Sequence, residues 1–382
     1  QAPMAQAQPR PNAPAAPAPA PKAPAAAAPR DAYAPKQPSP LMEALARPGA
    51  PILATHQQSL SFHKGQVFTL TWDADRSNLI STGKDGYVVT WGDDAPAHKI
   101  LLPQHYSCGA DLNPSTRTVF LAGVKREQND AVDPAIFILG QQQKGWAEVG
   151  SITRKDTKIV ASVKCIDKNN GNWLAACENL PNADKKHVIT IYDVNRTPLS
   201  SSPVQSFSDH SDFITCVAAH PLLKDVFFSG SRDNTVRMWD KRAAAPCVAV
   251  LGGKAGGEGH SMMVTCVDAF DQTLLSAGIE KVLYSWDVRS PARPVLKVPV
   301  NHGAVLKVSA AATSGLPGQS GIVAVSSMKG LSIVRLQDQK VEKTAAIPGR
   351  EKAAYHDLEW TPQGLWGAAD DGNIDRFDVR SG

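Results

Sequence analysis

Three histidines, His63, His210 and His260, each open the same arrangement of side chains, and this recurrence constrains the fold more than any other feature of the chain. His63 is followed by Val67, Ser81, Asp85 and Trp91; His210 by Ile214, Ser229, Asp233 and Trp239; His260 by Val264, Ser276, Glu280 and Trp286. In all three the branched apolar residue lies four positions after the histidine, the serine four before the acid, and the acid six before the tryptophan. His210 and His260 are 50 residues apart, and His63 and His210 are 147 apart, three spacings of 49. A fixed period of this size marks a stacked or circular array of one supersecondary unit.

The unit is built from strands. Runs such as VFTLTW (67–72), YVVTW (87–91), VFFSG (226–230), TVRMWD (235–240) and VLYSWD (282–287) are short, rich in branched and aromatic residues, and bounded by Gly, Asp, Asn and Ser. That pattern predicts an all-β chain. Fainter copies fill the gaps: a second unit over 104–140, a third over 158–194, a sixth over 302–336 with His302, and a seventh over 351–380, where Asp371 precedes Phe377 by six. Seven units result. Units one, four and five repeat the pattern specifically; two, three and six rest on spacing.

His…Ser…Asp…Trp-Asp at this spacing resembles the WD-repeat β-propeller family, over roughly residues 51–382. The resemblance implies one seven-bladed β-propeller, each unit a four-stranded blade around a central channel. It also implies structural quartets on His63, Ser81, Asp85 and Trp91, on His210, Ser229, Asp233 and Trp239, and on His260, Ser276 and Trp286. Unit five departs from the pattern with Glu280 at the acidic position, so its relay is not counted as complete. Unit seven has Glu351 near the histidine position and no tryptophan. The chain's last run, DVRSG, ends a third strand, so residues 51–62 are expected to supply the fourth strand of the last blade and cover its edge.

No catalytic residue, metal site or cofactor is expected. Histidines that recur once per blade do not converge on one substrate atom, and no GxGxxG, GxxxxGK[ST], HExxH or GxSxG pattern has its required context. The repeat alignment supplies no cluster of titratable groups at the central channel. LGGKAGGEGH (251–260) reads as a flexible connector lacking the helix a phosphate site needs. Cys216 and Cys266 each fall six after a repeat histidine, with Cys108 and Cys165 in comparable first strands, which places them as small strand residues.

Candidate partner-binding residues fall in two groups. The resemblance implies a top face formed by turns around Lys64, Lys84, Arg232, Ser261 and Asp370; Lys84 and Arg232 occupy equivalent positions before the turn acid and suggest a locally basic rim facing an acidic partner. WDKR (239–242), WDVR (286–289) and FDVR (377–380) place Arg242, Arg289 and Arg380 after the third strand of three units. Paired Trp-Asp-x-Arg motifs on adjacent blades resemble those of substrate receptors that dock on a cullin ligase adaptor; arginine at this position also serves as a generic exposed side chain. The polar insertions at 125–134 and 178–187 read as partner contacts or as solvated turns.

Residues 1–50 differ in kind, with 13 Pro, 18 Ala and one aromatic residue, Tyr33. Such a segment buries too little apolar surface to offset its ordering entropy and is expected to be a disordered arm, either a spacer or a ligand for a Pro-binding or acidic partner. Its five basic and two acidic residues account for most of the net charge of +4. The remainder is near neutral, so direct nucleic-acid binding has no bulk electrostatic support. No apolar stretch of about 18 residues is present, so no membrane span is expected. Six cysteines without a CxxC pair suit a reducing, intracellular compartment, cytoplasmic or nuclear. The resulting expectation is a non-catalytic scaffold for other proteins, a subunit of a multiprotein or ribonucleoprotein complex, with a ligase substrate receptor as the alternative.

Overall fold

The short apolar runs become strands, and the punctuating Gly, Asp and Asn become the turns between them. The computed structural model describes residues 52–381 apart from 103–104, 127–131, 144, 155–156, 158, 167–172, 180–186, 196–201, 253–257, 301–302, 312–320, 337–339 and 344–352. The Pro/Ala-rich arm, the middle of both polar insertions, His302, Glu351 and the centre of the Gly-rich connector lie outside the described residues.

After β1 (Ile52–Ser61) come seven groups of strands. Blade 1 is β2 (Val67–Asp73), β3 (Asn78–Gly83), β4 (Tyr87–Trp91) and β5 (Pro96–Leu101). Blade 2 is β6 (His105–Asn113), β7 (Thr118–Arg126), β8 (Val132–Gln142) and β9 (Gly145–Thr153). Blade 3 is β10 (Ile159–Cys165), β11 (Trp173–Asn179), β12 (Val188–Asp193) and β13 (Gln205–Phe207); blade 4 is β14 (Ile214–Ala219), β15 (Val226–Ser231), β16 (Thr235–Asp240) and β17 (Cys247–Gly252). Blade 5 is β18 (Val264–Phe270), β19 (Thr273–Gly278), β20 (Val282–Asp287) and β21 (Leu296–Pro299); blade 6 is β22 (Val305–Ala311), β23 (Ile322–Ser327), β24 (Gly330–Arg335) and β25 (Lys340–Lys343). Blade 7 takes β26 (Tyr355–Thr361), β27 (Gly364–Ala369) and β28 (Asn373–Ser381) from the end of the chain, and its fourth strand is β1.

All seven sheets are four-stranded and antiparallel, and their first strands lie side by side in a closed circuit, β2 next to β6 and finally β26 next to β2. The fold is a seven-bladed β-propeller. Every inner strand shows one register shift near its start, at Val67/Thr69, Ser107/Gly109, Val160/Ser162, Ile214/Cys216, Val264/Cys266, Val305/Lys307 and Tyr355/Asp357. An extra residue sharpens the right-handed twist, and a propeller blade needs that twist between its inner and outer edges. The bulge recurs in blades 2, 3 and 6 as well, where the quartet residues are missing, so backbone geometry marks the unit more faithfully than side-chain identity.

The apolar core is a ring of layers. Among the described residues, seven buried clusters each draw on two neighbouring blades; one joins Ile80 and Val88 of blade 1 to Leu121 and Phe137 of blade 2, and another joins Leu60, Ile374 and Trp366 of blade 7 to Leu70 and Trp91 of blade 1. β1 pairs with β28 from Ile52↔Ser381 to Ser61↔Asn373, and turns Ile52, Ala54 and Leu60 inward. Ring closure therefore joins the two ends of the described chain within one blade.

Blade 2 departs from its neighbours. Its strands run to 9, 9, 11 and 9 residues, and β7 pairs with β8 out to Arg126↔Val132. Much of the segment read from sequence as a polar loop at 125–134 is thus the end of a long hairpin.

Candidate functional site

The three histidine quartets are assembled within single blades, each by a turn of the same shape. In blade 4, Trp239 Nε1 donates to Ser229 Oγ at 2.8 Å, Ser229 Oγ lies 2.7 Å from His210 Nε2, and His210 Nδ1 lies 2.8 Å from Asp233 Oδ2. Blade 1 repeats this with Trp91 and Ser81 at 2.8 Å, Ser81 and His63 at 2.8 Å, and His63 and Asp85 at 3.0 Å. Each histidine thus sets Nε2 against the serine, which accepts from the indole, and Nδ1 against the carboxylate. The carboxylates also accept backbone amides, Lys64 at 2.9 Å and Tyr87 at 3.1 Å for Asp85, Ser211 at 3.1 Å and Thr235 at 3.0 Å for Asp233, and Asp233 accepts the Thr235 hydroxyl as well, at 2.6 Å.

Burial opposes ionisation of Asp85 and Asp233, but the hydrogen bonds from His63 and His210 and from those amides outweigh it, holding both carboxyls below the ordinary range. Both ring nitrogens of the histidine are engaged, so none is open for substrate. The relay's chemistry is to brace a hairpin, as a fully satisfied buried network does.

Blade 5 corrects the expectation drawn from Glu280. His260 Nε2 lies 2.7 Å from Ser276 Oγ, Trp286 donates to Ser276 at 2.8 Å, and His260 Nδ1 hydrogen-bonds Glu280 Oε1. The second carboxylate oxygen accepts the amides of Ser261 at 3.1 Å and Met262 at 2.8 Å. The extra methylene carries the carboxylate deeper into the loop, and the quartet is complete. The shared turn explains why: the residue after the acid is left-handed in all three quartet blades and in blade 7, at Gly86 (φ 78°), Asn234 (φ 66°), Lys281 (φ 65°) and Gly372 (φ 91°).

Two buried carboxylates outside the repeat positions replace the relay elsewhere. In blade 3, Glu178 is fully buried and accepts from Tyr192 Oη, from Thr190 Oγ1 at 2.9 Å and from Arg154 Nε at 3.0 Å. In blade 7, Asp375 accepts from Tyr355 Oη at 2.7 Å and from Ser59 of the closing strand at 2.6 Å. Tyr192 and Phe377 stand where the tryptophan stands in blades 1, 4 and 5. An acid inside an apolar run, as in WLAACEN and NIDRF, was the available signal for both.

The central channel holds the titratable cluster that the sequence alignment lacked. Lys164 Nζ meets Asp111 Oδ1 at 3.0 Å and Lys307 Nζ meets Asp357 Oδ1 at 2.8 Å. Asp268 and Glu359 face the same space, close enough to act on the lysines. Burial pulls both ammonium groups toward neutrality, but Asp111 and Asp357 beside them win, so both lysines are held above the ordinary range. The aspartates are not free to react. Asp111 also accepts the amide of Cys165 at 2.8 Å, Asp357 that of Leu70 at 2.9 Å, and Asp268 that of Ala310 at 2.8 Å, in each case from the next blade. The cluster fastens inner strands to each other.

The candidate partner residues separate onto two rims. Lys84 and Arg232 are exposed, and their amides occupy the same hairpin position, bonded at 2.8 Å to Gln66 O and Phe213 O. At the opposite ends of the strands, Arg242 and Arg289 are 65% and 72% exposed, yet each guanidinium grips the aspartate two residues before it, Nε to Oδ1 at 3.0 Å in both. Arg380 pairs the same way with Asp378. Asp240 and Asp287 consequently titrate low, Asp287 at about 2, with the arginine fork as the main cause. His63, His210 and His260 sit in blades 1, 4 and 5 and form no common pocket. Among the described residues no group of three His, Cys, Asp or Glu side chains is placed to hold a metal ion. Burial raises the thiols of Cys108 and Cys266 to about 12, so neither is a reactive thiolate.

A family model described as "WD domain, G-beta repeat" matches residues 54–92 and 201–240, the stretches that hold the blade 1 and blade 4 quartets. The chain is 27% identical over 212 residues to a guanine nucleotide-binding protein subunit beta of Arabidopsis thaliana, covering 52% of this chain and 51% of the relative. It is 26% identical over 210 residues to the subunit beta-2 of Nicotiana tabacum, covering 52% and 50%, and 24% identical over 204 residues to the ribosome biogenesis protein YTM1 of Candida albicans, covering 48% and 43%. The chain spans about half the length of the curated relatives it matches.

Proposed function

Taking the chain as a WD-repeat β-propeller, we propose that it is a non-catalytic scaffold that holds partner proteins on its faces and rim, as a subunit of a multiprotein or ribonucleoprotein complex. One observation carries this reading: in each quartet, and in the central channel, the groups that could do acid–base work are consumed by hydrogen bonds that hold one strand to another. A rigid ring with exposed loops on both faces suits assembly better than turnover. The relatives named for a nucleotide-binding protein subunit and for ribosome biogenesis support a place in larger assemblies. We take residues 51–382 as the propeller and 1–50 as an arm that adds reach or a Pro-rich contact. Six cysteines, none of them in a disulfide, support a reducing compartment, cytoplasmic or nuclear.

On the top rim, Lys84 and Arg232 are the residues for an acidic partner. Affinity purification of the tagged full chain should yield a discrete, stoichiometric set of proteins. Lys84→Glu with Arg232→Glu should remove a subset of them, and the same subset should be salt-sensitive. A chain that purifies alone under mild salt would overturn the scaffold reading.

The second reading, a substrate receptor of a cullin-type ubiquitin ligase, is favoured by the matching exposure and geometry of Arg242 and Arg289 on adjacent blades. Their forks would have to recognise the adaptor while still gripping Asp240 and Asp287. Co-purification of a cullin adaptor, lost on Arg242→Ala with Arg289→Ala, would select this reading over the first.

A further inference from the structure

The outer edges of the blades are not equally guarded. An outermost strand displays a row of unpaired backbone groups, and proteins normally protect such edges with charge, proline or brevity. β5 carries Pro96 and Lys99, β9 carries Glu148, β13 is three residues long, β21 carries Lys297 and Pro299, and β25 carries Lys340, Glu342 and Lys343. β1 has no charge but turns polar Thr55, Gln57 and Ser59 to solvent and is broken by a register shift at His56/Gln58. β17, Cys-Val-Ala-Val-Leu-Gly, carries no charge or proline and is six residues long; like β1 it has a register shift, at Met238/Trp239, but it turns valines and not polar side chains to solvent. It ends its sheet, and its outward residues Val248 and Val250 are 47% and 50% exposed.

We propose that this edge is an interface between two copies of the chain, β17 pairing antiparallel with β17 of the second copy about a two-fold axis at Ala249. The chemistry of the occupant follows from the edge itself, since a row of backbone donors and acceptors is matched only by another extended strand. Self-pairing is favoured over a foreign strand by the residues present. An axis at Ala249 sets Val248 of each copy against Val250 of the other, a pair of branched side chains with no charge opposed to a like charge. Self-pairing in register on β5 or β21 would instead bring lysine near lysine. The axis also fits the open length. Gly259 packs so tightly on Gly252 that a Cβ there would lie 1.9 Å from the Gly252 Cα, which leaves Cys247–Leu251, centred on Ala249, for pairing. The extra residue at the Met238/Trp239 register shift is Val248, on the solvent side. Next to Val250 a cleft of about 250 Å³ is lined by Trp286, Ala292 and Pro294 on its apolar side and by Glu258 on its polar side, and leaves room for side chains brought by the second copy.

Sedimentation velocity of the full chain over a dilution series tests this. The unmodified chain should show a reversible monomer–dimer equilibrium. Val248→Lys and Val250→Lys should each weaken it roughly tenfold or more while leaving the thermal melt in place, since both side chains already face water. Val250→Thr, which keeps the branched strand former, should retain the dimer, and Leu101→Lys on β5 should not change it. Hydrogen exchange should show amide protection in Val248–Leu251 that grows with concentration. A chain monomeric at every concentration, including one whose β17 protection appears only on adding a foreign protein, would overturn the proposal. So would a dimer indifferent to both lysine substitutions.

Discussion

Asp357 in the last blade accepts the backbone amide of Leu70 in the first at 2.9 Å while its other oxygen holds Lys307 of blade 6 at 2.8 Å. One carboxylate thus ties three consecutive blades across the seam where the two ends of the described chain meet. A circular fold has no covalent bond at that seam, so interactions there decide whether the ring stays shut.

Removing that carboxylate should open the seam first. Asp357→Ala leaves a buried amide and a channel lysine without their acceptor, a loss of about 2 kcal/mol, most of it from the amide because Lys307 is partly solvated. Asp357→Asn keeps an acceptor for Leu70 and should cost less. Urea unfolding of both variants checks the order, and equal losses would show that the amide contact does not matter.

Acid should weaken the fold in two stages. His220 is buried; its Nδ1 accepts the amides of Leu222 at 3.0 Å and Leu223 at 3.1 Å, and burial holds its pKa below the ordinary value of 6.5. The unfolded chain therefore binds that proton first, and stability falls as pH drops through about 6.5. Asp233 is depressed too, so its contribution is full above about pH 4 and declines only below that, toward its folded-state value. The stability gap between the unmodified chain and His220→Gln should narrow between pH 7 and 5. The gap to Asp233→Asn should hold through that range and narrow only in stronger acid. Stability–pH curves from denaturant titrations read both.

The left-handed turn position gives a gain. Lys281 occupies at φ 65° the conformation that Gly86 and Asn234 take in blades 1 and 4. A side chain with a Cβ is strained there by about 1 kcal/mol; Gly removes the strain at some cost in unfolded-state entropy, and Asn offsets it because its short amide hydrogen-bonds the local backbone. Lys281→Asn should raise the melting temperature without disturbing the His260–Glu280 contact, and a lower melting temperature would show that the turn relies on the lysine itself.

These residues show what the sequence could and could not disclose. The quartets of blades 1 and 4 were legible because a relay of four side chains demands fixed residue types at fixed spacing. Glu280 was misjudged because spacing says nothing of reach, and one methylene let its carboxylate cap the amides of Ser261 and Met262. Blades 2, 3 and 6 kept only their period because their inner-strand bulge is a backbone property open to many sequences. Asp111, Lys164, Asp268 and Glu359 stayed hidden for a related reason. They share one register position, three residues past the bulge, but differ in sign, and no motif written in residue names aligns a lysine with an aspartate. That the carboxylates of Asp111 and Asp268 reach amides in the next blade is a fact about ring geometry, which no single unit contains.

The closing strand should be indispensable where the arm is not. β1 buries Ile52, Ala54 and Leu60 in the last blade and brings Ser59 to the carboxylate of Asp375, whose side chain is wholly inaccessible to solvent. Without β1 that carboxylate loses a donor, the outer edge of β28 is unpaired, and two large side chains worth roughly 1.5–3 kcal/mol each are missing from the core. Deleting residues 51–62 should therefore lower the melting temperature of the whole ring and sharply raise aggregation, since one opened blade exposes a full-length edge. Deleting residues 1–45 removes none of these contacts and should leave the melt unchanged. Ser59→Ala isolates the polar part and should cost only about 1 kcal/mol, because Tyr355 still serves Asp375. If the 51–62 deletion melted like the intact chain, closure by β1 would not be what holds the seventh blade, and the inner-strand contact of Asp357 with Leu70 would have to carry the seam alone.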